Sequence, residues 1–430
     1  MKISAAIAAL ALFCVPVLAV AQTAATVARV TGVTIVSQPD ADASLAGVEF
    51  TIAAGLDRQR LTESGLAALV AQSILETPST DNETLRDAIS AQGGSVSVVV
   101  EPDDVRFYVE ALADDAPNVL ALFARALAAP DFSAATVRTA RDALVTRIAR
   151  TQLQPLQVGF EMLNLARANG ANSGLPLLGT PASLAQITPA RAAAFYHTYY
   201  TRGGSSISGV GRIDELGSEN LNALATVLPA GSTNAVRTAV HPLEGSGRQL
   251  IARRAVGAPW LIVGYSAPPL DSRDYGPMLV LSAFLQRTLG DIAEVPGTIS
   301  PSLASQAVGT VYDFDRAPAS LFLYVDGAIG DPSQSFGTAL TLVRFLGQKP
   351  IEGSIDQFKT IAIGDFEERA STLEARAWLA GLFARRTGSA DYLDATLRAI
   401  EATTPADLQR VAHRYLGNPT IALVLPRSSD

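Results

Sequence analysis

The chain holds three histidines, His197, His241 and His413, and a single cysteine, Cys14. Imidazole and thiolate are the side chains that most often hold a transition metal or move a proton near neutral pH, so the chemistry open to this sequence is narrow from the start. His197 and His413 stand amid aromatic and apolar residues of two similar helical stretches, with no second ligand at ligand spacing. A repeated packing or hydrogen-bonding role suits them better than metal ligation. His241 falls in a stretch rich in Gly, Ser and Pro and is expected to be exposed. No GxxxxGK phosphate loop and no GxSxG nucleophile elbow occurs, so nucleotide use and serine hydrolysis have no support. The acidic pairs Asp103/Asp104 and Asp114/Asp115 fall at turns and a helix start, where Asp caps backbone amides and complements the helix dipole.

The elements that must position any site are those of a globular interior. Hydrophobic residues make up 48% of the 430 positions and charged residues 17%, which suits a large core rather than a solvated tail. With 41 acidic against 33 basic side chains the net charge is -8, and a nucleic acid would meet an opposing field. Residues 1–21 carry Lys2, an apolar run and the small residues Ala19 and Ala21, the pattern of a secretory signal cleaved before Gln22. The expectation is export to the periplasm with no membrane attachment after cleavage, an uncleaved anchor being the minor alternative. Phe13, just before Cys14, argues against a lipid-attachment site, and Cys14 would leave with the signal, so the mature chain would form no disulfide.

Along the chain, "GVEFTIAAG" (47–55) reads as a strand and residues 64–76 as a helix with Ser64 as N-cap. A second capped helix ends at Gly93 and Gly94, two strands are joined at Pro102, Asp103 and Asp104, and two more helices flank Pro130. An internal echo organises the whole. Sliding the chain by 216 positions lays Thr188, Pro189, His197 and Tyr199 on Thr404, Pro405, His413 and Tyr415; Leu56 and Asp57 match Leu270 and Asp271 at a spacing of 214. The pattern is α+β in two similar halves, 22–228 and 248–430, joined by a linker over 229–247.

This order resembles the pitrilysin/insulinase-type (M16), mitochondrial-processing-peptidase-like metallopeptidase family. "VEFTIAAGLDRQRLTESGLAALVAQSIL" is similar to the family's strand, glycine turn and metal helix; "FYHTYYTRGGSSISGVGRID" is similar to the close of the first half, and "IDQFKTIAIGDFEERASTLEARAWLAGLFARRTG" with "TPADLQRVAHRYL" to the last helices of the second. The resemblance implies two homologous α/β halves, each a mainly antiparallel sheet packed with helices. It also implies an HxxEH motif on the first helix, with two His nitrogens on one zinc and a Glu activating its water.

Here those five positions read Ala68, Leu69, Val70, Ala71 and Gln72, and the downstream segment expected to supply a further Glu ligand reads Ala140, Arg141 and Arg147. Alanine has no lone pair, an amide is a poor zinc ligand, and a guanidinium repels a dication, so the resemblance carries no cofactor and no catalytic residue to this chain. Leu66, Leu69, Val70 and Ile74 form a core stripe, and the neighbouring face of Ala68, Ala71 and Gln72 can leave a shallow empty groove. The phrase "SQAVGTVYDF" keeps Gly309 and Tyr312 of a family substrate-contacting phrase but has Ser305 in place of its Arg, which makes Tyr312 the one candidate for substrate binding. The small-residue loop over 297–309 could handle an extended peptide, or be an ordinary surface loop. The expected role is that of a non-catalytic subunit enclosing unfolded peptides beside a zinc-bearing HxxEH homologue. The alternative is a stand-alone peptide-binding or scaffold homodimer.

Overall fold

In a computed structural model describing residues 25–79, 83–167, 174–214, 217–231, 249–293, 308–315, 319–326, 353–417 and 419–427, the chain forms two mixed α+β halves, each built on a mainly antiparallel sheet. The first sheet comprises β1 (Thr26–Val30), β2 (Val33–Pro39), β3 (Leu45–Ile52), β4 (Ser95–Val100), β5 (Val105–Leu112) and β6 (Ser206–Gly211), in the order β1-β2-β6-β3-β5-β4. Only β2 and β6 run parallel. The helices of this half are α1 (Leu66–Leu75), α2 (Leu85–Ala91), α3 (Ala116–Ala128), α4 (Ala134–Thr151), α5 (Pro155–Arg167), α6 (Pro181–Gln186), α7 (Pro189–Tyr199) and α8 (Gly217–Leu224).

The second sheet repeats the plan. β7 (Gln249–Arg254), β8 (Trp260–Ser266), β9 (Val308–Asp313), β10 (Ser320–Asp326) and β11 (Thr420–Pro426) lie in the order β7-β11-β8-β10-β9, with β7 and β11 the parallel pair. Its described helices are α9 (Tyr275–Ala293), α10 (Asp356–Arg369), α11 (Leu373–Thr387), α12 (Tyr392–Glu401) and α13 (Pro405–Tyr415). The echo read from the sequence has a local cause. Thr188 and Thr404 each cap a helix, α7 and α13, with Pro at its start, accepting a backbone hydrogen bond from Arg191 N and Asp407 N at 3.2 Å each. The expected linker lies outside the described residues from position 232 to 247, and the loop over 297–309 lies outside them as far as 307.

The strand β3, "LAGVEFTI", is buried along nearly its whole length because both of its faces are covered. Ala46, Val48, Phe50 and Ile52 enter the core of the first half. The alternate residues meet α11, a helix of the second half, which packs across β2, β3 and β6. The exchange is mutual: α5 of the first half covers β7, β8 and β11, where Val158 and Leu163 share a core with Ile262, Phe322, Ala422 and Val424. Phe160 meets Phe322 at 4.4 Å between ring centroids.

Each exchanged helix carries a glycine where it touches the foreign sheet. A Cβ on Gly159 would come within 2.5 Å of the Ile262 side chain, and one on Gly381 within 2.4 Å of Ser208 Oγ. The closeness predicts that Gly381→Val, which must push α11 off β6, lowers stability by about 1–3 kcal/mol. Thermal unfolding of the two proteins side by side checks this, and an unchanged midpoint would show that the contact has slack.

Candidate functional site

Helix α1 is where the expected metal site would lie. It starts at Leu66 rather than at 64, because Gly65 takes the left-handed conformation (φ 90°) at the N-cap, and Ser64 makes no cap bond. Gln59 Oε1 accepts from Ala67 N at 3.1 Å instead, an orphan amide satisfied from the preceding turn. All ten residues of α1 are buried, with Ala68 2%, Ala71 0% and Gln72 1% exposed. Among the described residues, the small side chains expected to leave a shallow groove along α1 are instead packed into the core. Ala68 and Ala71 belong to the same core cluster as Leu69 and Val70, since α4 and α7 close over the helix.

Gln72 Nε2 donates to Glu76 Oε1 at 2.7 Å, while its own Oε1 is buried and meets no donor among the described residues. Ser73 and Thr77 donate to the carbonyls of Leu69 and Ser73 one turn back, at 2.7 and 3.0 Å. On α4, Ala140 is fully buried, and Arg141 donates to the carbonyls of Leu184 and Ile187 at 3.0 and 2.9 Å, tying α4 to the end of α6. Partial burial of its head group, and then the Arg86 guanidinium on α2, hold Arg147 below the usual range for its type. It stays cationic at any ordinary pH. Two alanines, an amide and neighbouring guanidiniums do not fit a zinc ion, and no step of chemistry runs through one here.

His197 and His413 are both exposed, so the repeated packing expected of them falls instead to neighbours such as Tyr196 and Ala412, which are buried. Tyr196 donates to Leu127 O at 2.5 Å, joining α7 to α3. His241 lies outside the described residues.

Tyr312 also departs from its expected role. It is 4% exposed, its ring packs against Tyr275 and Phe314, and its hydroxyl donates to Pro268 O at 2.5 Å. Burial drives its phenol well above the ordinary range. A side chain so enclosed packs as a core residue.

The acidic pairs do not cap. Asp115 stands at the N-cap of α3 without a side-chain bond. Asp103 and Asp104 reach across to α11, pairing with Arg386 and Arg385 at 3.2 and 3.4 Å. Beside them Arg106 lies between Glu49 and Glu101 at 3.6 Å each, with its guanidinium over Trp378 at 5.1 Å. Arg385 also donates to Ser206 Oγ at 2.8 Å, and Thr51 to Glu49 Oε1 at 3.1 Å. Burial pushes the Glu49 carboxyl up to about 7 against the pull of Arg106 and Arg385. Asp104 is pushed up to about 6, first by burial and then by Asp103. Sequence reasoning missed this cluster because Asp103 and Asp104 meet partners on α11 that lie 283 and 281 residues away. The one local signal is Glu49, the single charged residue of β3.

Comparison with known proteins bears on what this arrangement is. The family model described as Insulinase (Peptidase family M16) matches residues 33–181. The mitochondrial-processing peptidase subunit beta of Dictyostelium discoideum is 23% identical over 132 residues, a stretch spanning 31% of this chain and 28% of that subunit. A crystal structure of a peptidase M16 inactive domain from Pseudomonas fluorescens superposes with a TM-score of 0.79 at 15% identity, covering 94% of this chain and 98% of that one. A protease from Helicobacter pylori superposes with a TM-score of 0.78 at 15% identity, covering 94% and 100%. At that identity the two structures establish the fold, and the family model speaks for the first half. Residues 33–181 thus carry the pattern of the M16, insulinase-type peptidase family, and the two halves together have the fold of those structures.

Proposed function

We propose that this protein is an exported, non-catalytic M16-type subunit that helps enclose peptide substrates beside a zinc-bearing HxxEH homologue. The observation that carries the reading is the closure of α1: Ala68, Ala71 and Gln72 stand where the family's ligands and base are expected, and all three are packed into the core. A helix so filled gives up metal chemistry while still serving as a wall, because the sheet and the helices around it do not depend on the lost ligands. The relative that this chain matches is itself named a subunit, subunit beta of a processing peptidase, which favours a homologue as the partner. Export rests on the signal pattern of residues 1–21, which lie outside the described residues.

The expected outcome is that the purified mature chain carries no stoichiometric zinc and cleaves no unfolded peptide, and that a tagged form retrieves an HxxEH-bearing homologue from the periplasm in equal amount. Mixing the two chains is expected to give chelator-sensitive cleavage absent from this chain alone. Zinc in the isolated protein together with such cleavage would overturn the proposal. A homodimer that ignores the homologue yet binds peptides would establish a stand-alone scaffold instead.

A further inference from the structure

The two exchanged helices fasten the halves by different chemistry. The seat of α5 on the second sheet is apolar, made of Val158, Leu163, Ile262, Phe322, Ala422 and Val424. The one acid of α5, Glu161, is partly buried, and burial raises its carboxyl against the pull of Gln157 and Arg254. The seat of α11 on the first sheet joins a small apolar patch, where Ala377 and Leu373 meet Tyr108 and Val210, to the cluster around Glu49. Glu49 stands opposite Tyr108 on β5 and Ser208 on β6. Tyr108 donates to Glu110 at 2.6 Å and also feels the charge of Glu374 on α11. The carboxyls of Glu49, Glu101, Asp103, Asp104 and Asp315 share the guanidiniums of Arg106, Arg385 and Arg386. Arg369 of α10 also lies over Trp378, at 5.4 Å, but is engaged by Tyr312 O at 3.2 Å and by the face of Phe314 at 4.5 Å.

We propose that the seat of α11 is a proton-operated latch: with a proton on Glu49 the halves are fastened at both exchanged helices, and without it α11 lifts from β3 and β6 while α5 stays seated. The seated geometry serves a carboxylate poorly. Glu49 is 2% exposed, Thr51 on its own strand gives it a hydrogen bond at 3.1 Å, and its nearest cation, Arg106, stands at 3.6 Å and is shared with Glu101. Asp104 Oδ1, in the same cluster, is buried with no donor among the described residues. Lifting α11 gives both carboxyls water. Burial pushes Glu49 up to about 7 and, with Asp103, pushes Asp104 up to about 6, whereas the lifted state restores their ordinary values. The seated state therefore holds more protons, and seating weakens as pH rises through that range and levels off above it. The second half moves with α11, because Leu379, Leu382 and Phe383 on that helix belong to the second core. The dry α5 seat, which offers no comparable cluster, is the pivot.

Thiol protection tests each seat separately, because a chain expressed from Gln22 has no cysteine of its own. Ala377→Cys places a thiol in the α11 seat and Ala422→Cys places one in the α5 seat, both at fully buried alanines. The rate of modification by N-ethylmaleimide is divided by that of an unfolded peptide thiol at the same pH. Between about pH 5 and about pH 8 the relative rate at Ala377→Cys is expected to rise by about tenfold or more, and that at Ala422→Cys by less than about threefold. Adding Glu49→Gln, an uncharged side chain of the same size that keeps an acceptor for Thr51, is expected to remove most of the rise at the α11 seat. A rate at Ala377→Cys that does not change with pH would overturn the latch. So would an equal rise at both seats, which is the mark of global unfolding, or a full rise that survives Glu49→Gln.

Discussion

Replacing Ala71 with Glu is expected to destabilise the first half by on the order of 4 kcal/mol, the penalty of an uncompensated charge in a packed interior. Ala71 is fully buried on a helix whose every residue is in the core, so a longer side chain has neither water nor a partner there. A family member that keeps zinc would offset such a carboxylate with the ion and two imidazoles. Here restoring all three residues, Ala68→His/Ala71→Glu/Gln72→His, is expected to compound the loss rather than rebuild a site. The space is already occupied, and the guanidiniums of Arg86 and Arg147 lie near one another on the helices beside α1. Urea unfolding with metal analysis of the purified variants measures both effects. A triple variant of native stability holding one zinc per chain would refute the view that the helix has closed.

Arg106→Met is expected to cost about 3–5 kcal/mol at pH 8 and distinctly less at pH 5. Arg106 is the cation shared by Glu49, 2% exposed, and Glu101, so its removal strands a carboxylate between β3 and α11. Protonation then relieves the strain, because Glu49 titrates near 7 even with Arg106 present. The wild-type protein should itself depend on pH in the same sense. A carboxyl whose folded pKa is raised binds more protons folded than unfolded, so the stability it contributes is fully present below the unfolded value, about 4.5 for Glu, and is lost as pH rises through the folded value. With Glu49 at about 7 and Asp104 at about 6, the loss falls between about pH 4 and pH 8 and amounts to roughly 3 kcal/mol for each group. Calorimetry from pH 5 to pH 8 should therefore show the melting temperature falling as pH rises, with the variant falling further. Parallel curves would mean that Glu49 does not feel Arg106.

Much of the architecture was legible in the sequence because its signals are local. The strand pair around Asp103, the helices beside Pro130 and the Thr-Pro starts of α7 and α13 are each set by turn or cap chemistry within a few residues. The absence of ligands on α1 was legible too, since residue type alone decides whether a side chain has a lone pair to give.

What the sequence by itself determined is the family's element order, the halving of the chain and the identity of the residues at the expected metal positions. Tertiary structure alone decided the rest. It closed α1 into the core instead of leaving a groove, sent Tyr312 inward and the two repeated histidines outward, and traded α5 and α11 between the sheets. It also paired Asp103 and Asp104 with arginines far along the chain. The physical reason is common to all of these. Burial and pairing depend on which surfaces meet across the fold, and a helical or strand pattern states only that an element has a face to cover, not which distant element will cover it.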